Sequence, residues 1–277
     1  MQLPSSILDD IRSTIQSGYY ERLSPVRRER KSLCEKLERE MAEGRLPLIL
    51  EVATARPGGR LILPCRATAC ERLEKLALAS PSAMSVWVEP RHMAGDLRWL
   101  ARERPFPVVA RDLIIDPRQI VGGDAIVLSR PLLELAGFEA HPLIEAAHDL
   151  DMEVVMEVRT AQDMTHARGT EADAIAIHNS GANGNAHGAR PHGAPSPFGA
   201  QSGFDINTTL SLLSAHRTTR PVISCAGIRT PSQVRSLISA GAAAVELDAE
   251  TTAGADGLDI VELLKKAVNG KGGKEGS

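Results

Sequence analysis

The sequence predicts an α/β fold, a (βα)8 TIM barrel with an N-terminal helical extension. Apolar runs of strand length recur through the chain, and helix-like segments separate them. The runs are rich in Val and Ile and continuous rather than alternating, which is typical of a parallel sheet covered on both faces. Eight such units in one chain favour a closed barrel over an open sheet.

The composition is that of a folded chain with a large aliphatic core. The 277 residues are 43% hydrophobic and 24% charged, which is enough to bury such a core. A net charge of -3 gives no basic field for nucleic acid or anionic membrane, and 3% aromatic residues offer little surface for base stacking. We therefore expect a small-molecule substrate or ligand, no nucleic acid and no membrane partner.

The chain divides into an extension, a barrel and a tail. Residues 1–45 carry helix signals but no strand, and Ser24-Pro25 predicts the start of a helix that ends near Gly44. We expect this extension to pack across one end of the barrel, which spans 46–268, and we expect 269–277 to be a disordered tail. The predicted strands are 47–53, 84–88, 107–110, 125–128, 153–158, 173–178, 221–225 and 243–248.

The connections between the predicted strands are uneven. Thr230, Pro231 and Gln233 form a capping box that predicts a helix start. Only 112–123 separates the third and fourth strands, which is too short for a full helix. Residues 180–204 are a low-complexity run of Gly, Ala, Pro, Asn and His, which predicts a mobile loop over the C-terminal mouth.

The compartment is predicted from the cysteines and the N-terminus. No pair among Cys34, Cys65, Cys70 and Cys225 has CxxC spacing, so reduced thiols in a cytoplasm are expected. Acidic residues lie where a signal peptide needs a basic and then an apolar run. We therefore expect a cytoplasmic protein.

Polar residues that close the apolar runs indicate an active site, because barrel enzymes place theirs where strands end. Glu51, Arg111 and Glu157 are the candidate catalytic residues. Two carboxylates in one cleft shift each other's pKa, which gives an acid and a base from one residue type. Arg111 would polarise a carbonyl or carboxylate of the substrate. Further candidates for substrate binding are His178, Gly227, Glu246 and Asp248.

Other interpretations of these residues stay open. Any one of them can be a rim residue turned to solvent or paired with a neighbour. A metal-site hypothesis would use as ligands His178, Glu157, Glu246 and Asp248 with His187 and His192 of the loop. No tight ligand spacing supports this hypothesis, and we expect no metal and no cofactor. Cys225 is expected to be a buried thiol rather than a nucleophile.

Two more positions have two interpretations each. Gly227 precedes the capped helix, where backbone N–H groups commonly hold phosphate, yet Asp248 would place a negative charge beside it. Trp87 is either an interior filler or a wall of the substrate pocket.

Five collinear segments resemble indole-3-glycerol phosphate synthase: RDLIIDPRQI, AAHDLDMEVVMEV, AIAIHNS, FDINTTLSLL and SCAGIRTPSQVRSLISAGAAAV. The resemblance covers about 1–268, and the short third connection is similar to archaeal members. It implies a (βα)8 barrel with an N-terminal extension. It also implies ring closure of 1-(o-carboxyphenylamino)-1-deoxyribulose 5-phosphate with loss of CO2 and water, in tryptophan biosynthesis, by two lysines and two glutamates.

The family's catalytic pattern is kept only in part. Both glutamates are present, as Glu51 and Glu157, but the lysine of E-V-K is Ala53 and the general-acid lysine of R-K-D is Arg111. An arginine stabilises an oxyanion but does not readily deliver a proton. Arg56 is the residue that would compensate in part for the lost cations.

The family's binding residues are also changed. I-N-N-R becomes Ile177-His178-Asn179-Ser180, which keeps one asparagine at Asn179 and removes the arginine. L-V-G-x-S becomes 246–250, which places Asp248 and Glu250 where a glycine and a serine would hold the phosphate. The resemblance therefore implies a diverged paralogue with an uncharged or cationic substrate. Two alternatives remain: a residual synthase that uses Arg111 and Arg56, and a non-catalytic barrel that binds a protein partner through 180–204.

Overall fold

A computed structural model of the protein describes residues 5–23, 29–55, 61–90, 104–179, 204–254 and 257–269. Eight parallel strands close into a barrel, each paired with the next in the chain and the last with the first. This confirms the predicted (βα)8 barrel. The strands are β1 Leu48–Val52, β2 Ala83–Trp87, β3 Val108–Arg111, β4 Ala125–Ser129, β5 Glu153–Val158, β6 Ala174–His178, β7 Val222–Cys225 and β8 Ala244–Leu247.

Helices precede the barrel and follow most of its strands. Two of them start at the capping boxes of Thr160 and Thr230, where each side chain accepts a hydrogen bond from the backbone three residues on. The helices are α1 Ser5–Gln16, α2 Leu33–Ala42, α3 Arg66–Leu78, α4 Arg130–Ala136, α5 His141–His148, α6 Ala161–Arg168, α7 Asn207–Ala215, α8 Pro231–Ser239, α9 Ala249–Ala253 and α10 Gly257–Asn269.

Alternate residues of each strand fill the barrel interior, as the period of two requires. A buried cluster of mostly small and β-branched side chains forms there, together with Leu33 and Leu37 of α2. The helix therefore covers one end of the barrel. The strand residues of this cluster are Ile49, Ala83, Val109, Ala125, Val127, Val155, Ala174, Ala176, Ile223, Cys225 and Ala244.

Carboxylates at the strand starts hold α2 in place. Glu153 accepts hydrogen bonds from Ser32 Oγ at 2.5 Å and from the backbone N–H of Leu33 at 2.6 Å and Cys34 at 3.2 Å. Asp124 accepts from the N–H of Lys31 at 3.0 Å. The covered end is thus the N-terminal face, which leaves the carboxyl ends of the strands as the other mouth.

The start of the second helix differs from the prediction. The helix begins at Leu33, and residues 29–32 are not helical, so Ser24-Pro25 does not open it. Ser32 is the cap, because its side chain accepts from the N–H of Glu35 at 3.0 Å. The predicted end is close to the observed one, since the helix stops at Ala42 and Gly44 has a φ of +70°.

The extension also contacts the side of the barrel. Tyr20, in a single 3-10 turn (Tyr20–Arg22), is 2% exposed and accepts a hydrogen bond from Gln119 Nε2 at 3.3 Å. Gln119 ends the 3-10 turn Pro117–Gln119, which is the helical part of the connection from β3 to β4. The prediction that this connection is too short for a full helix is confirmed.

Some expectations fall on other parts of the chain. Residues 180–203, Arg56 and the tail from 270 lie outside the described residues. Within the described part of the chain, no helix is both long enough and apolar enough to cross a bilayer.

Candidate active site

Four charged side chains point into the C-terminal mouth of the barrel. Glu51, Arg111, Glu157 and Glu246 each follow an interior residue of the same strand by two positions, so their side chains point inward as well. All four are buried, between 4% and 6% exposed. The two predicted catalytic glutamates, the predicted arginine and Glu246 are therefore brought together.

Arg111 is the centre of this cluster. Its Nη1 donates to Glu157 Oε2 at 3.0 Å, and its Nη2 donates to both carboxylate oxygens of Glu246, each at 2.9 Å. Its Nε donates to Ser85 Oγ at 2.8 Å and lies 3.9 Å from Glu51 Oε1. The guanidinium thus donates hydrogen bonds to β2, β5 and β8 and forms an ion pair with Glu51 of β1.

Glu51 is held mainly by N–H donors. Its Oε1 accepts from Trp87 Nε1 at 2.8 Å, and its Oε2 accepts from the backbone N–H of Ala249, also at 2.8 Å. Trp87 is the last residue of β2 and is 8% exposed. Both oxygens of this carboxylate are therefore fixed in position.

The cluster separates the pKa values of its carboxyl groups. Burial raises the pKa of Glu157, but the charges of His178, Arg159 and Arg111 outweigh it and lower this pKa to about 2. Burial is also the largest effect on Glu246, where it and the charge of Glu51 raise the pKa against the opposing effect of Arg111. Two carboxyls on one guanidinium thus differ in acidity, as an acid and a base require.

Arg111 itself is a permanent cation. Burial alone would lower its pKa, but the charges of Glu246, Glu51 and Glu157 outweigh this effect and raise it well above the ordinary value. Cys225 lies on β7, next to β8, and donates from Sγ to Glu246 Oε2 at 3.3 Å. Burial raises the pKa of this thiol, which makes it a poor nucleophile.

Asp248 lies at the edge of the mouth, where it caps α9. It is 2% exposed and accepts from the N–H of Thr251 at 2.9 Å and of Gly227 at 3.1 Å. Arg229 Nη1 donates to it at 3.0 Å. Gly227 and Asp248, both predicted to bind substrate, are therefore bound to each other.

His178 and Asn179 follow one another at the end of β6. The centroid of the His178 ring lies 6.0 Å from that of the Phe204 ring. The charge of His178 helps to lower the pKa of Glu157. Asn179 is fully buried, and its side-chain amide bonds to Ser224 Oγ at 3.0 Å and Thr209 Oγ1 at 2.8 Å. The structure places His178 at the mouth and Asn179 in a buried hydrogen-bond network with β7 and α7.

Sequence reasoning did not identify three residues of the site. Ser85 and Arg159 contact the charged cluster directly, and Arg229 binds Asp248. Ser85 lies two residues before Trp87, and Arg159 lies two residues after Glu157, so each is expected on the same side of its strand as that residue. This spacing is the signal that would have identified them. Among the described residues, no group of three or more His, Cys, Asp and Glu side chains is arranged to hold a metal ion.

The architecture and the site define a class of protein, a closed (βα)8 barrel whose charged site lies at the carboxyl ends of its strands. A sequence model of the family described as "Indole-3-glycerol phosphate synthase" matches residues 8–181, more than half of the chain. The chain belongs to this family.

Individual relatives are similar at modest identity. An indole-3-glycerol phosphate synthase of Acidithiobacillus ferrooxidans is 28% identical over 218 residues, 74% of this chain and 73% of that protein. That of Bacteroides thetaiotaomicron is 31% identical over 109 residues, 36% of this chain and 41% of that protein. That of Haloarcula marismortui is 29% identical over 183 residues, 63% of this chain and 64% of that protein.

Solved structures resemble the chain in fold. The structure titled "Structural and biochemical characterization of the N-acetylmannosamine-6-phosphate 2-epimerase from Clostridium perfringens" aligns with a TM-score of 0.54 at 13% identity, covering 81% of this chain and 92% of the other. A designed cube-shaped protein cage aligns with a TM-score of 0.51 at 17% identity, covering 81% and 72%. At these identities the likeness shows the fold alone.

Proposed function

We propose that this chain is a diverged member of its family that no longer closes the indole ring and acts on a different small molecule. The tryptophan-biosynthesis ancestry would then explain the barrel and the two glutamates. The observation that carries this proposal is the state of Arg111, which occupies the position of the family's general-acid lysine. Its guanidinium is bound by Ser85, Glu157 and Glu246, and its pKa is raised well above the ordinary value.

A group in this state is not a proton donor. General acid catalysis is most efficient when the pKa of the donor is near the working pH. Arg111 is far from that condition, and giving up its proton would remove the cation that three buried carboxylates share. In this proposal Arg111 orients and polarises the substrate, and proton transfer falls to Glu51, Glu157 and their neighbours.

The region around Asp248 supports the loss of the phosphate group from the substrate. The N–H of Gly227 and the guanidinium of Arg229 already bind this carboxylate. A phosphate dianion placed there would meet the Asp248 charge at short range. With Glu51 and Glu246 in the same mouth, the substrate is best described as uncharged or cationic.

The test is an assay with 1-(o-carboxyphenylamino)-1-deoxyribulose 5-phosphate at high enzyme concentration, followed by the fluorescence of the indole product. The Acidithiobacillus ferrooxidans relative serves as the positive control. We expect no product and no rise in the melting temperature of this protein with the substrate. Product that forms with the wild type would show a working synthase and overturn the proposal.

A second test concerns the ligand class. Ribose 5-phosphate with ribose, and glucosamine 6-phosphate with glucosamine, are two matched pairs that differ by the phosphate. We expect any rise in melting temperature to come from the unphosphorylated members, and Asp248→Ser to reduce the discrimination. Stabilisation by the phosphorylated members alone would contradict the proposed substrate class.

The alternative of a non-catalytic barrel depends on 180–204, of which only Phe204 is described. Deletion of 182–202 tests it. If the deletion abolishes binding of a protein partner from the same cell while the barrel keeps its unfolding transition, a binding role replaces the catalytic one.

A further inference from the structure

The mouth cluster contains three carboxyl groups around one shared guanidinium. Three carboxylates, those of Glu51, Glu157 and Glu246, lie within 3.9 Å of one guanidinium, that of Arg111. Each of these four side chains is at most 7% exposed. Because uncompensated charge is costly to bury, one of the carboxyls should keep its proton to a higher pH than the other two.

Two of the three glutamates have further support for the ionised form. Glu157 has a second guanidinium, since Arg159 Nη2 lies 3.4 Å from its Oε1, and His178 adds to this from β6. Glu51 accepts two N–H hydrogen bonds at 2.8 Å, one on each oxygen, from Trp87 and Ala249. Hydrogen bonds donated to both oxygens of a carboxyl favour its carboxylate form.

Glu246 depends on the shared cation alone. Arg111 donates to it from Nη2 at 2.9 Å and from Nε at 3.2 Å but is also paired with the other two glutamates, and the further described partner of Glu246 is the thiol of Cys225 at 3.3 Å. A thiol is a weak hydrogen-bond donor and does not stabilise an anion as a guanidinium or an amide does. Glu246 has no second cation among its described contacts, so burial and the charge of Glu51 favour its protonated form.

We propose that Glu246 is the proton donor of this site and the last of the three mouth glutamates to lose its proton as the pH rises. In the transfer step, the O–H bond of Glu246 breaks and the proton bonds to a basic atom of the ligand. The electron pair stays on Glu246, where Arg111 already contacts both oxygens and stabilises the anion. The donor role rests on the proposed function, whereas the order of titration does not.

The order of titration is measured by ¹³C NMR of protein labelled at the glutamate carboxyl carbons, without any ligand. Glu51→Gln, Glu157→Gln and Glu246→Gln assign the three resonances. We expect the Glu246 resonance to have the highest titration midpoint of the three. In Glu51→Gln this midpoint should fall to lower pH, because a like charge is removed. A Glu246 resonance that titrates with or before either of the others overturns the proposal.

Unfolding free energy against pH gives a second readout. A carboxyl whose pKa is raised by folding stabilises the protein at low pH, and this contribution is lost as the pH rises through the folded-state pKa. Because Gln resembles the protonated carboxyl, Glu246→Gln should gain stability relative to the wild type as the pH rises. A relative loss would overturn the proposal. Neither result depends on the ring-closure assay, so failure of this inference and failure of the proposed function are distinguished.

Discussion

Arg111 Nη2 contacts both carboxylate oxygens of Glu246 at 2.9 Å, while Nη1 of the same guanidinium contacts Glu157 at 3.0 Å. These residues belong to β3, β8 and β5, which are not neighbours in the barrel. A single side chain therefore connects strands that backbone hydrogen bonds do not join. The stability of the closed barrel and the chemistry of its mouth depend on the same group.

Replacing Arg111 by Met should destabilise the fold strongly. The substitution nearly preserves the length of the side chain but removes the cation that three buried carboxylates share. Breaking a buried pair in this way costs about 3 to 5 kcal/mol. The measurement is the free energy of unfolding in urea at neutral pH.

The matched control for this variant is Arg118→Met. Arg118 is also paired with acidic residues, Glu21 and Asp116, but its side chain is 51% exposed. Exposed pairs contribute about 1 kcal/mol or less. Equal losses in the two variants would show that the mouth cluster does not stabilise the barrel.

Glu157 should make the stability depend on pH in the acid range. Its folded-state pKa is lowered to about 2, so its contribution is present above the ordinary glutamate pKa and is lost as the pH falls toward 2. A shift of this size corresponds to something on the order of 3 kcal/mol.

The measurement is the difference in unfolding free energy between the wild type and Glu157→Gln from pH 6 downward, and this difference should shrink steadily. Glu262→Gln, on the exposed side of α10, controls for the loss of one acidic side chain far from the mouth. A difference that stays constant over this range would mean that Glu157 is not an ionised partner of Arg111.

The strands were predictable and the contacts of the mouth were not. All eight observed strands lie within a residue or so of the predicted runs, because a buried parallel strand is apolar on both faces and this pattern is local. The residue types at the strand ends are local as well, which is why Glu51, Arg111 and Glu157 could be named.

Which of these groups bind each other depends on the closure and register of the barrel. Glu51 pairs with Ser85 across β1 and β2, and Arg111 pairs with Trp87 across β2 and β3, a relationship that no sequence pattern shows. The predicted start of α2 was wrong for a similar reason. Ser24-Pro25 has the composition of a cap, but Ser32 has the partner, Glu153, which is distant in sequence.

The turn after β7 should respond in opposite directions to two substitutions. Ala226 has a φ of +70°, a conformation that costs a residue with a Cβ about 1 kcal/mol. Ala226→Gly should therefore raise the free energy of unfolding by about 0.5 to 1 kcal/mol.

The neighbouring glycine is fixed by space as well as by its φ of +74°. A Cβ at Gly227 would lie 2.1 Å from Phe204 Cβ, so Gly227→Ala requires the backbone or Phe204 to move. We expect a loss of more than about 1 kcal/mol. Thermal unfolding of both variants checks the pair, and the same sign of change in both would contradict the interpretation of this turn.

Glu153→Ala should release α2 from the N-terminal face of the barrel. The variant removes the acceptor of three hydrogen bonds from Ser32, Leu33 and Cys34, and with it a negative charge beside the N-terminus of the helix. We expect a loss of about 1 to 2 kcal/mol in unfolding free energy. Amide hydrogen exchange should become faster in α2 than in β5, since Leu33 and Leu37 cover the barrel interior only while the helix is docked. Glu139→Ala, at an exposed position before α5, should leave both quantities unchanged, and equal exchange rates for α2 in the two variants would show that Glu153 does not anchor the extension.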